Sequence, residues 1–459
     1  MFKKIEIWIL YLVILLGFLL AIVFGVLVRQ ELVGSTKLGW VSRSALFFAE
    51  IPMNTKRIIQ TGMGQEKVED RFPYLKGFNG EGIDEETYLL LSRYDGDQKE
   101  SVIELIDLSN FNVLHTWNPD IDKFNKSIDK VNEFKNIERN TNKLSMLYHP
   151  KLTQNGNLLF GTAGYSWWES MIRKIDACSN LVFQNTSELV HHSIELDADA
   201  SIWAPALLYP QSIDPIKVGR NLPENNGYLD DSIVKLSPEG EILFEKSISE
   251  LFIENDMEYL LFSVGDRLFD VDPIHLNDIQ PVNYDGEFWK KGDVFISLRH
   301  QSMVILYRPS SNEIIWKGVG KSFHQHDVDI LDDHRIAIFN NNSKHFFSGD
   351  TVDGNNEVLI YDFETKEYSS YLSESLISYD VRTITEGRSE ILPNGDLMIE
   401  ESNFGRTLYF NADGSLAWSF VNRASDGNVY TLGWSRILYT SDDLQTVNNF
   451  LTNKGPCNE

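Results

Sequence analysis

The chain has 459 residues, 42% of them hydrophobic and 24% charged, which suits one large repeat-built domain or two compact ones and excludes a disordered chain. Lys and Arg number 41 against 67 Asp and Glu, a net charge of −26, so nucleic-acid binding through bulk charge is excluded and any anion must be held by a local basic pocket. Two cysteines, Cys178 and Cys457, are too few for a disulfide framework or a cysteine-based zinc site.

Ile7 to Val28 is an uncharged run of 22 residues, IWILYLVILLGFLLAIVFGVLV. About 20 apolar residues span a bilayer core as a helix. A signal-peptide apolar region is shorter and precedes a small-residue cleavage site, whereas RQELVG follows here. Residues 1–30 are therefore expected to be a transmembrane anchor, inserted in the lipid bilayer through residues 7–28. Lys3 and Lys4 precede the span, and Glu31 dilutes Arg29 and Lys37 beyond it. That asymmetry puts the N-terminus in the cytoplasm and the body in the periplasm or outside the cell, as a single-pass inner-membrane protein. Residues 31–70 read as an amphipathic helix, SALFFAEIPMNTKRII from Ser44 to Ile59, followed by the polar linker QTGMGQEKVED.

From 71 to 459 two hairpin signatures alternate. The first is a polar turn before apolar residues: EETYLLL, QNGNLLF, DADASIW, KKGDVFIS, LDDHRIAIF and LPNGDLMI. The second is an apolar pair, a turn and a strand usually carrying an aromatic, as in IDLSNFNVLHTW, LSPEGEILFE and FNADGSLAWSF. Turn residues flanked by apolar strands make each a hairpin, and two hairpins make a four-stranded propeller blade. Six pairs predict an all-β fold, a six-bladed β-propeller behind an N-terminal transmembrane helix. The spacing of roughly 60 residues exceeds that of common propeller repeats, which places insertions at 209–231 and 340–356.

Most first-signature hairpins follow a histidine. His149, His191 and His192, His275, and His324 and His326 all stand upstream of the polar turn, and Arg388 stands there in the sixth repeat. Inner strands line a propeller's channel, so equivalent positions meet at one mouth. His149, His192, His275, His326 and Arg388 are thus expected to converge on the axis. Neutral imidazoles serve as acid, base, nucleophile or metal ligand. Zinc-protease, nucleophile-elbow and dinucleotide motifs are missing, and no metal or cofactor is expected.

The stretches HHSIELDADASIW, DPIHLNDIQPV, GDVFISLRHQSMVILYRPSSNEIIWKGVG, FHQHDVDILDDHRIAIFNNN and GRSEILPNGDLMI resemble the nucleotide-independent arylsulfotransferase family, over roughly His149 to Arg423. The resemblance implies a six-bladed propeller that moves a sulfuryl group from a phenolic sulfate donor to a phenolic acceptor through a sulfated histidine. Carried over by motif, His275 in HLND and His326 in HQHD match active-site histidines, and Arg299 in SLRHQ matches a recurrent arginine. His192 joins them as a catalytic candidate. Asn277, Lys344 and Arg388 are candidates for holding substrate, and Trp167 and Trp168 in YSWW for an aromatic wall. FNNNSKHFF puts Lys344 and His345 where relatives commonly carry an arginine, and blade six lacks a histidine. The second reading is therefore a non-catalytic, membrane-anchored propeller serving as a binding or assembly platform.

Overall fold

The computed structural model describes residues 6–32, 39–62, 67–128, 137, 140–163, 170–213, 228–263, 271–346 and 349–457. Contacts divide the chain into an N-terminal unit, up to residue 65, and a body from residue 66 onward.

The N-terminal unit holds two helices. The first, α1 (Ile7–Leu32), carries Leu, Ile, Val and Phe on every face, and they are exposed along its length. Its 26 residues reach about 39 Å at 1.5 Å per residue, enough to cross a bilayer core. A signal sequence meets the same criterion. The second, α2 (Gly39–Gly62), extends the predicted amphipathic segment at both ends and exposes Trp40, Phe47, Phe48 and Ile51.

The body is a six-bladed β-propeller. In chain order, blades two to six start from the inner strands Met146–Leu152, Glu195–Leu196, Leu276–Pro281, Val328–Ile330 and Arg388–Ile391. Each inner strand pairs antiparallel with the next, and the sheets end on outer strands such as Glu313–Val319. Burial follows position. Second strands such as Leu158–Ala163 are buried at every residue, whereas Glu313–Val319 alternates half-buried with exposed, as a one-sided edge should. Six apolar clusters fill the six blade interfaces. Between blades three and four, Trp203 and Ile233 pack on Ile279, Ile296 and Ile305. Each such side chain contributes roughly 1.5–3 kcal/mol by leaving water. Within the insertion predicted at 340–356, Ser343–Phe346 and Gly349–Val352 form a separate hairpin.

Both ends of the body close the ring. Gly77–Gly80 adds a fifth strand to the outer edge of blade six, and Arg436–Leu438 supplies the inner strand of blade one. Gly80 has φ +123°, and a Cβ there would lie 2.2 Å from the Ala417 carbonyl oxygen, so only glycine lets this strand approach. Nothing local to EETYLLL announces that its inner partner comes from residue 436 onward.

The C-terminal helix Ser441–Asn453 starts from a capping box of Thr440 and Asp443 and seats Val447 and Phe450 on the interface of blades one and two. Beyond it, Cys457 is bridged to Cys178 in a blade-two turn. Two cysteines 279 residues apart make a single covalent tie, a pairing that spacing alone could not reveal. Cys457→Ser is expected to lower unfolding stability by about 2–4 kcal/mol, measured by urea denaturation of the full chain in detergent, because the open chain regains loop entropy.

Candidate active site at the propeller axis

Each blade has one residue wound left-handed at an equivalent place, just before its inner strand or, in blade two, at an irregularity within it. These are Trp434 (φ +58°) in blade one, His149 (+48°), His192 (+54°), His275 (+54°), His324 (+53°) and Gly387 (+111°) in blade six. This corrects the sequence alignment in two places. The repeat-equivalent residue of blade five is His324, and His326 lies two residues further in, level with Asn277 of blade four. In blade six the place belongs to Gly387, one residue before Arg388. A Cβ at 387 would meet the Glu400 carbonyl oxygen at 2.7 Å and Thr383 Cγ2 at 2.6 Å, so no histidine fits there. Three residues beyond the left-handed one comes an acid in blades three to six: Glu195, Asp278, Asp327 and Glu390. Two of these acids lace neighbouring blades together. Asp278 accepts a hydrogen bond from the Val328 N–H at 3.0 Å, and Asp327 accepts one from the Ser389 N–H at 3.1 Å.

The left-handed turns aim the imidazoles at the axis. His192 stands 5.1 Å from His275 and 6.2 Å from His326, between ring centroids, and stacks on Trp434 at 5.4 Å. His149 meets the same Trp434 edge-on at 4.3 Å. His275 continues to His300 at 4.5 Å, and His300 to His324 at 5.9 Å. His149, His192 and His326 are only 2–3% exposed. Burial, then neighbouring positive groups, holds all three far below the ordinary imidazole range, so they are neutral. His275 and His300 are partly open to solvent.

Hydrogen-bond partners fix which nitrogen carries each proton. The amide of Asn341 donates to the carbonyls of Thr383 at 3.1 Å and Glu386 at 2.9 Å. Carbonyls only accept, so the Asn341 oxygen must face His326, whose Nδ1 lies 2.7 Å away and donates to it. The lone pair of His326 is therefore on Nε2, which is buried and has no hydrogen-bond partner among the described residues. His300 donates from Nδ1 to the Asp272 carbonyl at 2.7 Å and accepts at Nε2 from Arg299 Nη1 at 2.6 Å. Arg299 is 5% exposed, lies 3.6 Å from Asp350, and has no hydrogen-bond partner for its Nε among the described residues. His275 faces the Asp272 carboxylate at 2.6 Å. Burial alone would raise Asp272, but His275, His300 and His191 hold it below its usual value.

Donor atoms of Asp272, His275 and His300 lie within 4.8 Å of one another, the spacing of a metal-ligand set. The His300 proton on the Asp272 side and the Arg299 cation at its other nitrogen work against that use.

Beneath the histidines lies a cavity of about 10 Å³ lined by His149, Asn277, His326, Arg388 and Trp434, room for about one water. Arg388 is 2% exposed, and Asp327 and Glu390 overcome its burial and keep it charged. Its Nε and Nη1 have no hydrogen bond among the described residues. Asn277 donates to the Gln325 carbonyl at 3.1 Å and leaves its own oxygen unpaired. Burial, then Asp327, pushes Asp278 up to about 8. Glu195 runs the other way. Burial would raise it, but Arg436 and Lys151 at 3.3 Å pull it well down.

Lys344 is ion-paired with Asp353 and sits over Phe323, on the hairpin whose Asp350 lies 3.6 Å from Arg299. His345, its neighbour, is exposed and paired with Asp350. Trp167 and Trp168 lie outside the described residues. Sequence reading missed Asn341, Asp272, Asp231 and Trp434, none of which shares the histidine pattern. His191 and His300 were visible as the doublet HH and in SLRHQ.

A neutral buried His326 has a measurable signature. The unfolded chain binds a proton at this residue below about pH 6.5 and the folded chain does not, so stability is lost as pH falls through that value. His326→Gln removes this loss. Its unfolding free energy relative to the native chain is expected to improve by up to about 1.4 kcal/mol per pH unit below pH 6.5, read from urea denaturation at several pH values.

The sequence profile of the family described as Arylsulfotransferase (ASST) matches residues 149–423, more than half of the chain. No curated protein matches. Among solved structures, a protein of unknown function from Bacteroides caccae is 12% identical with a TM-score of 0.43, over 76% of this chain and 98% of that one. The WD40 propeller domain of Doa1 is 12% identical with a TM-score of 0.35, over 79% and 94%. A streptogramin B lyase is 11% identical with a TM-score of 0.34, over 67% and 97%. These likenesses are too low to say anything of chemistry. With its propeller, its axial histidines and the profile match running from His149 to Arg423, this chain belongs to the arylsulfotransferase family.

Proposed function

We propose that the chain transfers a sulfuryl group from a phenolic sulfate ester to a phenol through a sulfated histidine, and that His326 is that histidine. The observation that carries this reading is the buried, unpartnered Nε2 of His326, set by Asn341 to bear the lone pair. In the first half, Nε2 attacks sulfur, the S–N bond forms and the S–O bond to the donor phenol breaks. In the second half the acceptor oxygen attacks sulfur and the S–N bond breaks. Charge spreads over the sulfuryl oxygens, as in phosphoryl transfer, and fixed cations stabilise it. Arg299, positioned by its contact with His300, and Arg388, which lines the cavity beside His326, supply two such cations. His275 donates from Nδ1 to Asp272, which fixes its ring at the open side with the Nε2 lone pair free to accept. A second histidine of the cluster must give and take the phenolic proton, and the aromatic wall falls to Trp167 and Trp168.

The body would work outside the cytoplasm, anchored by α1 with the N-terminus inside. The Cys178–Cys457 bridge suits an oxidising compartment. The platform reading has its own support: His192 and His326 are almost fully enclosed, and Lys344 is spent on Asp353.

A donor assay with 4-nitrophenyl sulfate and phenol, on the full chain in detergent, decides between them. Acceptor-dependent release of nitrophenol is expected, and His326→Ala and His275→Ala should each lower kcat/KM by about 100-fold or more with the fold intact. A native chain that transfers from no aryl sulfate would leave the platform as the function.

A further inference from the structure

His191 and His192 are consecutive, yet their rings face each other. In extended backbone, neighbouring side chains point to opposite sides. The left-handed turn at His192 undoes that alternation and brings Nδ1 of one ring within 2.7 Å of Nδ1 of the other, at 81° between planes. Beyond His191, its Nε2 lies 3.2 Å from Oδ1 of Asp231, an ion-pair contact rather than an aligned hydrogen bond, at the first residue of the strand Asp231–Leu236. All three side chains are 1–2% exposed. The chain of atoms thus runs from a buried carboxyl through two imidazoles to Nε2 of His192, in the histidine cluster.

We propose that Asp231, His191 and His192 form a proton relay that stores, on the carboxyl of Asp231, the proton exchanged with the phenolic oxygen in each half of the transfer. The inference rests on the sulfuryl-transfer reading and adds to it the group that handles the proton. Two nitrogens facing at 2.7 Å share one proton, so the chain has two forms that differ by one proton, with both imidazoles neutral in each. In one, Asp231 is ionised, His191 holds its proton on Nε2 and His192 on Nδ1, leaving the His192 Nε2 lone pair open to a proton. In the other, Asp231 is protonated, His191 holds its proton on Nδ1 and His192 on Nε2. Moving three protons by one step each converts the first, plus a proton at His192, into the second.

The balance closes over both halves. When the donor S–O bond breaks, the His192 Nε2 proton goes to the departing oxygen. The His191 Nδ1 proton moves to His192, the Asp231 proton moves to His191, and Asp231 is left ionised. The acceptor phenol later returns one proton by the same route as its oxygen bonds to sulfur and the S–N bond breaks. At no stage must a buried imidazolium exist at His192. That matters because His191, His275, His326 and His149 surround it and disfavour a positive charge there. A His192 acting alone would have to carry that charge. A merely structural Asp231–His191 contact would fix a turn and leave the chemistry indifferent to it.

The two roles separate by leaving group. A nitro-substituted phenol departs readily as phenolate, whereas unsubstituted phenol needs the proton. The test compares kcat/KM for 4-nitrophenyl sulfate and phenyl sulfate in the native chain, in Asp231→Asn and in His191→Gln. Both variants keep polar side chains of similar size and break the relay at different links. The relay requires the ratio between the two donors to widen by about 100-fold or more in each folded variant, the size of general-acid catalysis. An unchanged ratio in either folded variant overturns it. Should neither variant fold, a proton inventory of the native chain in mixed light and heavy water decides. With phenyl sulfate it must curve, several protons being in flight, and a straight line overturns the relay. A native chain inactive on both donors fails the sulfuryl-transfer reading itself, a result distinct from active variants with an unchanged ratio.

Discussion

The chemistry at the axis hangs on one backbone constraint, the left-handed residue set at the same place along each blade's inner-strand segment. A non-glycine residue in that conformation costs about 1 kcal/mol or more. Five such residues occur around one ring, four of them histidines and the fifth Trp434. Such strain persists only where the surroundings over-determine it. Here they do, through the laced inner strands, where Asp278 and Asp327 each hold the next blade by its backbone N–H. The same turn that tilts each strand inward also swings its own side chain onto the axis. Distant sequence positions become neighbours because the backbone repeats, not because the side chains attract.

Enclosure then decides the protonation states. Imidazoles packed this closely cannot all be charged, and burial keeps the inner ones neutral, which makes them nucleophiles and bases. The fixed positive charges beside the histidines are Arg299 and Arg388, and arginines stay charged at any working pH. Arg299 lies against His300, and Arg388 lines the small cavity beside His326. The carboxyls below the histidines divide in turn. Glu195 is held ionised by Arg436 and Lys151, whereas Asp278 is pushed up. An anionic sulfate ester would enter a place where fixed cations await it and the nearest carboxyls are engaged elsewhere.

Much of this was legible in the residues. The paired hairpin signatures counted six blades, because turn glycines and apolar runs report local pairing directly. Histidine recurrence pointed to the axis, and His192, His275 and His326 do meet there. What escaped was non-local. Register could not be read to better than a residue or two, so His326 was set level with His275 when His324 holds that place. Arg388 was likewise taken for the repeat position, which steric crowding reserves for Gly387. Asn341 and Asp231 bear on the histidines only through folding, since neither belongs to a spaced motif. Lys344 pairs with Asp353, a partner that only the folded hairpin brings to it.

The double closure of the ring sets an order of events in synthesis. Blade six cannot complete its outer edge without Gly77–Gly80, made early, and blade one cannot acquire its inner edge until Arg436–Leu438 has emerged. Contacts separated by more than three hundred residues are slow to form. For most of translation the nascent chain therefore carries two open sheet edges and no channel, and open edges invite pairing with other chains. Cys457 follows the closing strand in sequence, so its bridge to Cys178 can be made only once that strand has been synthesised. The bridge then ties the last-made segment to blade two, on the far side of the seam that the closing strand completes.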